Sequence, residues 1–228
     1  MLIAGYLPSS LSDFPGKICS IIFTQGCNFK CPFCHNPELI PAKGTTTVNE
    51  DEFFAFLQKR KGKLDGVSIT GGEPLIHDDI VEFIKKIKDL GFLVKIDTNG
   101  SYPQQLEKIL NSGLVDFAAM DVKTSPEKYS QVTGYDIDFN KIIESIKLIK
   151  QFPDYEFRVT AVPGLVEKHD INAIANLLSP AKTIAIQQFK NKITYSPQFN
   201  QIQPYTSSFL KEMKQILEGK IERILIRE

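Results

Sequence analysis

Six apolar, β-branched runs, separated by segments long enough to hold a helix, constrain the fold of this chain more than any other feature. They are ICSIIFTQ (18–25), GVSITG (66–71), LVKIDTN (93–99), DFAAMDVK (116–123), EFRVTAV (156–162) and TIAIQQF (183–189). These runs are too continuously apolar to face water on one side, so each reads as a strand covered on both faces. Between them, helical patterns run over 49–61, 79–90, 103–111, 140–150 and 170–178. Asn49 and Glu52 have capping-box spacing, and Gly91 and Gly113 stand where two helices should stop. Such alternation implies a parallel sheet with right-handed crossovers. Six units are fewer than the eight of a closed barrel, so the expected fold is α/β, a partial open (β/α)6 barrel with parallel strands. A helix over 207–218 and a short strand at 224–226 complete it. At 228 residues, 1–228 is expected to form a single domain, with a core over about 18–190 and the last helix and strand in 207–228.

Charge narrows the partners. Lysine and arginine (27) balance aspartate and glutamate (27), so there is no general pull toward nucleic acid or an anionic membrane, and no nucleic-acid partner is predicted. The segment MLIAGYLPSSLSDFPGK lacks a basic n-region and a long apolar stretch, and no other stretch approaches a membrane span. A soluble, cytoplasmic protein with reduced thiols is expected.

Three of the four cysteines, Cys27, Cys31 and Cys34, fall in QGCNFKCPFCHNP with the spacing Cys-x3-Cys-x2-Cys. Three thiolates on one loop can hold three irons of a cubane 4Fe-4S cluster, whereas a cluster that only moves electrons usually has four cysteine ligands. One iron is then open to a substrate or cofactor. Structural zinc is the competing reading, since His35 can in principle complete a Cys3His set. It requires neighbouring Cys34 and His35 to turn toward one metal, and no second ligand pair follows along the chain. Cys19, inside ICSIIF, reads as a small core residue.

In parallel α/β barrels the site collects at the C-terminal ends of the strands. The cysteine loop follows the first strand, and Gly71-Gly72-Glu73-Pro74 follows the second. Asp97-Thr98-Asn99-Gly100 ends the third strand and Asp121-Val122-Lys123 the fourth. Arg158 lies within the fifth, and Gln187 and Gln188 lie toward the end of the sixth. Plainer roles compete with each. GGEP alone can be a strand-ending turn, Phe33 a loop packing residue, and the glutamines strand-end hydrogen-bond formers. Asp97 and Asp121, at adjacent strand ends, would repel unless paired, protonated or bound to a cation, and Lys123 or Arg158 can pair with either.

CNFKCPFC followed by TGGEP resembles the radical S-adenosylmethionine (SAM) superfamily. With SDFPGK, FTQGCNFKCPFCHNPEL, DTNG, MDVK and VPG, the chain is similar over roughly residues 5–190 to the glycyl-radical-enzyme activating enzymes, and within them to the activators of anaerobic ribonucleoside-triphosphate reductase. The resemblance implies Cys27, Cys31 and Cys34 as ligands of a 4Fe-4S cluster whose open iron takes the methionine amine and carboxylate of SAM. One electron then cleaves the cofactor to a 5'-deoxyadenosyl radical, while the protein orients it. It places Phe33 near the adenine and Gly71, Gly72 and Glu73 beside the amino group; Lys123 and Arg158 are candidates for the methionine carboxylate or its surroundings, because a cation in a sheltered pocket needs a counter-charge. Asp97, Thr98 and Asp121 would bind a monovalent cation next to the cofactor. The implied partners are a glycyl radical enzyme as protein substrate and a flavodoxin- or ferredoxin-type reductant.

Some family features are missing. Four cysteines cannot supply a ferredoxin-like insert, so one cluster is expected, and QQFKNK offers no histidine where one activator type places one near the ribose. Gln187 or Gln188 can supply that contact. His35 matches the CHNP motif, but nothing gives it an acid-base role. The alternative function is a radical enzyme for a small metabolite, as in 7-carboxy-7-deazaguanine synthase. A non-catalytic metal-binding module fits the motifs least.

Overall fold

The computed structural model describes residues 1–44 and 47–228. All six predicted strands form and lie side by side in chain order: β2 (Cys19–Thr24), β3 (Gly66–Gly71), β4 (Leu93–Thr98), β5 (Phe117–Asp121), β6 (Tyr155–Ala161) and β7 (Ala181–Gln188). Every neighbouring pair among them is parallel. The expected helices form as α1 (Glu50–Gln58), α2 (Ile80–Asp89), α3 (Pro103–Ser112), α5 (Phe139–Ile149), α6 (Lys168–Leu178) and α7 (Ser207–Leu217), with a five-residue α4 (Tyr129–Thr133) ahead of α5. Among the described residues the sheet has eight strands and is not closed. β1 (Ile3–Ser10) adds antiparallel to β2, and β8 (Ile221–Arg227) adds parallel to β7. The six-unit open barrel is therefore the middle of a wider sheet.

Local chemistry sets the element boundaries. The Asn49 side chain caps α1 by accepting from the Asp51 amide at 2.8 Å, and Gly113 ends α3 in the left-handed conformation. Helix α6 begins two residues before the predicted point, because Glu167 and Asp170 form a reciprocal capping box. β1 escapes the apolar-run criterion because Gly5 and Pro8 interrupt it and much of it is exposed, features an edge strand tolerates.

Strand alternation divides the interior in two. Ile22, Ile69, Val94, Ile96, Met120, Phe157 and Ile184 point outward into a large apolar layer with Phe53, Phe83, Ile87, Leu106 and Ile174 of the helices. The concave face is mixed. At its floor Phe14, Cys19, Ile21, Phe117 and Ala119 pack together, with the Phe14 and Phe117 rings 6.1 Å apart. Burying each ring contributes about 2–3 kcal/mol. Above this plug the concave face becomes charged. Cys19 is fully buried within the plug. No helix among the described residues is long and apolar enough to cross a membrane.

Candidate active site at the barrel mouth

The cysteine loop, residues 25–41, leaves the end of β2 and is fastened on several sides. At its root, Gly72 N donates to Thr24 O (2.9 Å) and Glu73 N to Gly26 O (2.8 Å), while Gly26 N and Cys27 N donate to Leu39 O and Ile40 O. The two glycines are required by this approach. A Cβ on Gly71, whose φ is +123°, would lie 2.2 Å from Thr24 N, and one on Gly72 would lie 2.0 Å from Gly26 O. Farther along, Lys30 N donates to Thr133 O at 2.7 Å, tying the loop to α4. On the opposite side a strap from the β7–α7 connection crosses it: Tyr195 N donates to Cys34 O (3.0 Å) and Ser196 N to Pro32 O (2.9 Å). His35 belongs to this fastening. Its Nδ1 lies 3.0 Å from Ile193 O and its ring stacks on Phe189.

Held in this way, Cys27, Cys31 and Cys34 face one cavity of about 220 Å³, together with Phe33, Gly71, Gly72, Glu73, Asp97, Thr98, Asp121, Lys123, Arg158 and Gln187. The structure thus gathers the predicted site residues, apart from Gln188, into one space. Gln188 points to the other face of β7, where its Nε2 donates to Tyr205 O at 2.8 Å. Phe33 is both a wall of the cavity and a member of the buried apolar cluster.

Glu73 is enclosed rather than displayed. One oxygen accepts from Leu75 N (3.1 Å) and Thr98 Oγ1 (2.7 Å), the other from Asn99 N (2.6 Å). It clasps the loops after β3 and β4 together. Burial pushes its carboxyl up to about 7 despite three donors. Asn99 extends the clasp to the cysteines, with Nδ2 at 3.0 Å from Asn28 Oδ1 and 3.9 Å from Cys27 Sγ.

Beneath the thiols lies a five-membered charge network. Arg158 spans both carboxylates, Nη1 to Asp97 Oδ2 at 3.0 Å and Nε to Asp121 Oδ1 at 2.8 Å. Lys123 Nζ binds Asp121 Oδ2 at 2.9 Å, and Lys95 binds Asp97 Oδ1. Burial alone would raise the Asp121 carboxyl, but Arg158 and Lys123 overcome it and hold it far below the usual range. Arg158 and Lys95 likewise keep Asp97 low. The sequence reading missed Lys95. Its signal was a lone lysine two residues before Asp97 in an otherwise apolar strand, which puts both on the concave face.

Burial raises the thiols, Cys27 to about 12 and Cys31 to about 11, and Lys123 pulls both the other way. Free, they stay protonated; iron must displace those protons, and the cation below favours the thiolates. Among the described residues, no three His, Cys, Asp or Glu side chains are grouped to hold a single metal ion. His35, the fourth ligand that the zinc reading calls on, is held by Ile193 O and Phe189, and the remaining set of three thiols fits a 4Fe-4S cluster with one open iron.

Such geometry defines a class: an open α/β-barrel enzyme with a three-thiol loop over a charged pocket at the strand ends. The chain belongs to the radical SAM superfamily, whose family model matches residues 21–178. It is similar to a protein of Methanocaldococcus jannaschii described as a candidate glycyl-radical enzyme activating enzyme, 35% identical over 237 residues and covering 99% of this chain and 95% of that one. It is also similar to the pyruvate formate-lyase-activating enzyme of Clostridium pasteurianum, 30% identical over 186 residues, 76% of this chain and 74% of that one. Among solved structures, SuiB of Streptococcus suis bound to precursor peptide SuiA superposes with a TM-score of 0.68 over 91% of this chain and 48% of its own, and at 16% identity this likeness concerns the fold alone. The family implies SAM and a 4Fe-4S cluster.

Proposed function

We propose that this radical SAM enzyme abstracts a hydrogen from a glycine Cα of a partner protein, leaving a stored glycyl radical there. The observation that carries the reading is the single cavity shared by Cys27, Cys31 and Cys34 with the GGEP, DTNG and MDVK residues. Similarity to a candidate activating enzyme along nearly the whole chain supports the protein substrate, and an anaerobic ribonucleoside-triphosphate reductase is the partner we favour. When bound, the cluster and SAM supply one-electron cleavage of the cofactor to a 5'-deoxyadenosyl radical.

The chain's own residues position and shield. The three cysteines would hold the cluster and leave one iron open. Gly71 and Gly72 bring the β3 loop against the root of the cysteine loop, so the backbone at this wall of the cavity is fixed in advance. Lys123 and Arg158, which both line the cavity, are the cations placed to receive the methionine carboxylate, while Lys95, outside that lining, meets part of the Asp97 charge. Phe33 offers a ring face to the adenine, and Gln187, on the concave face, offers the amide that a ribose hydroxyl needs. A flavodoxin- or ferredoxin-type protein would deliver the electron.

Anaerobic reconstitution with iron and sulfide, then reduction with SAM and the candidate partner, tests the reading. The expected result is 5'-deoxyadenosine together with a glycyl-radical doublet on the partner by electron paramagnetic resonance. Folded, iron-loaded protein that forms neither would remove the radical reading; turnover of a small molecule with no partner radical would favour the metabolite enzyme instead.

A further inference from the structure

The resemblance assigns a monovalent cation to Asp97, Thr98 and Asp121, yet the oxygens of all three side chains are already engaged. Asp97 gives one oxygen to Lys95 and the other to Arg158, and Asp121 gives one to Arg158 and the other to Lys123. The Thr98 hydroxyl lies on the opposite face of β4 from Asp97, donating to Glu73 Oε1 at 2.7 Å and accepting from Gly100 N at 3.0 Å. The set does not suit an added alkali ion. Asp97 and Asp121 each already face two cationic side chains, so their charge is met without an added ion.

Lys95 explains the difference. Its side chain is 2% exposed, it stands on β4 level with Ser68 and Phe117 of the neighbouring strands, and Asp97 is its hydrogen-bond partner. A buried ammonium is tolerated only when paired. It is also a compact point charge, the side chain nearest in character to an alkali ion. We infer that the Lys95 ammonium takes the place of the monovalent cation in this chain, so that SAM binds without sodium or potassium. The inference rests on reading the cavity as the SAM pocket. Lys95 acts as a positioning residue: it holds Asp97 from below, Asp97 and Asp121 fix the Arg158 fork between them, and Lys123 stays beside the thiols.

Calorimetric titration of the cluster-loaded protein with SAM provides the test. Choline serves as the sole monovalent cation and is then replaced by sodium or potassium at a constant ionic strength of about 0.1 M. For the unaltered protein, Kd should change by less than about twofold between these salts. Lys95→Met should bind at least about tenfold more weakly in choline, with sodium or potassium recovering most of the loss. Iron content and melting temperature establish whether the variant is folded and loaded, and the comparison on the unaltered protein needs no variant. An affinity of the unaltered protein that rises about tenfold on replacing choline overturns the inference. So does a folded Lys95→Met protein that binds normally in choline, or one whose loss neither ion recovers. Absence of SAM binding in every salt would instead remove the cofactor reading, and this inference with it.

Discussion

Glu73 shows how much of the site rests on one side chain. Its three donors fix the β3 and β4 loops together, and burial still lifts its pKa from 4.5 to about 7. The folded protein therefore binds this proton more tightly than the unfolded chain does. The stability this group contributes is complete below about pH 4.5 and is lost as pH rises through about 7. Glu73→Gln should remove that slope in urea unfolding between these limits, and should cost about 1–3 kcal/mol by setting an amide N–H against a backbone N–H. Equal slopes in the two proteins would contradict the assignment. Gly72 is equally constrained, because an added Cβ meets Gly26 O, Gly26 C and Leu39 O, all of them backbone. Gly72→Ala should destabilise the protein by about 3 kcal/mol or more in the same assay, since no side chain can swing away.

At the scale of elements, the cysteine loop depends on its neighbours for shape. The strap over 193–196 is held to it by two backbone hydrogen bonds and by His35. In His35→Ala, amide exchange at Tyr195 and Ser196 should quicken about fivefold, matching one lost hydrogen bond of about 1 kcal/mol, with the barrel amides unchanged. The edge strand β8 is locked differently. Arg227 makes a two-pronged pair with buried Glu156, at 2.8 and 2.6 Å. Arg227→Met should lower unfolding free energy by about 3 kcal/mol, because it strands a buried carboxylate. The central strands and most helices were legible because burial on both faces writes continuous apolar runs, and amphipathic helices write a 3.6-residue period. β1 was not, since Gly5, Pro8 and exposed serines erase its period. The strap left no trace because backbone groups make its bonds, and sequence does not encode them directly. Among the cavity residues, the cysteines and GGEP announced themselves by spacing. Asn99, and Lys95 just outside the cavity lining, act through partners brought close only by folding.

For the whole molecule, the sheet carries an apolar plug at one end and a charged, thiol-capped cavity at the other. That polarity explains why the reactive groups converge although they come from six separate stretches of chain. On the proposed reading, the cofactor would occupy that cavity and a partner protein would supply the hydrogen. The most direct measurement uses a partner protein whose glycine residues carry deuterium at Cα, incubated anaerobically with the reduced, cluster-loaded enzyme and SAM. Mass spectrometry should find one deuterium in the 5'-deoxyadenosine produced. Unlabelled 5'-deoxyadenosine formed in the presence of that folded, labelled partner would contradict hydrogen abstraction from a partner's glycine.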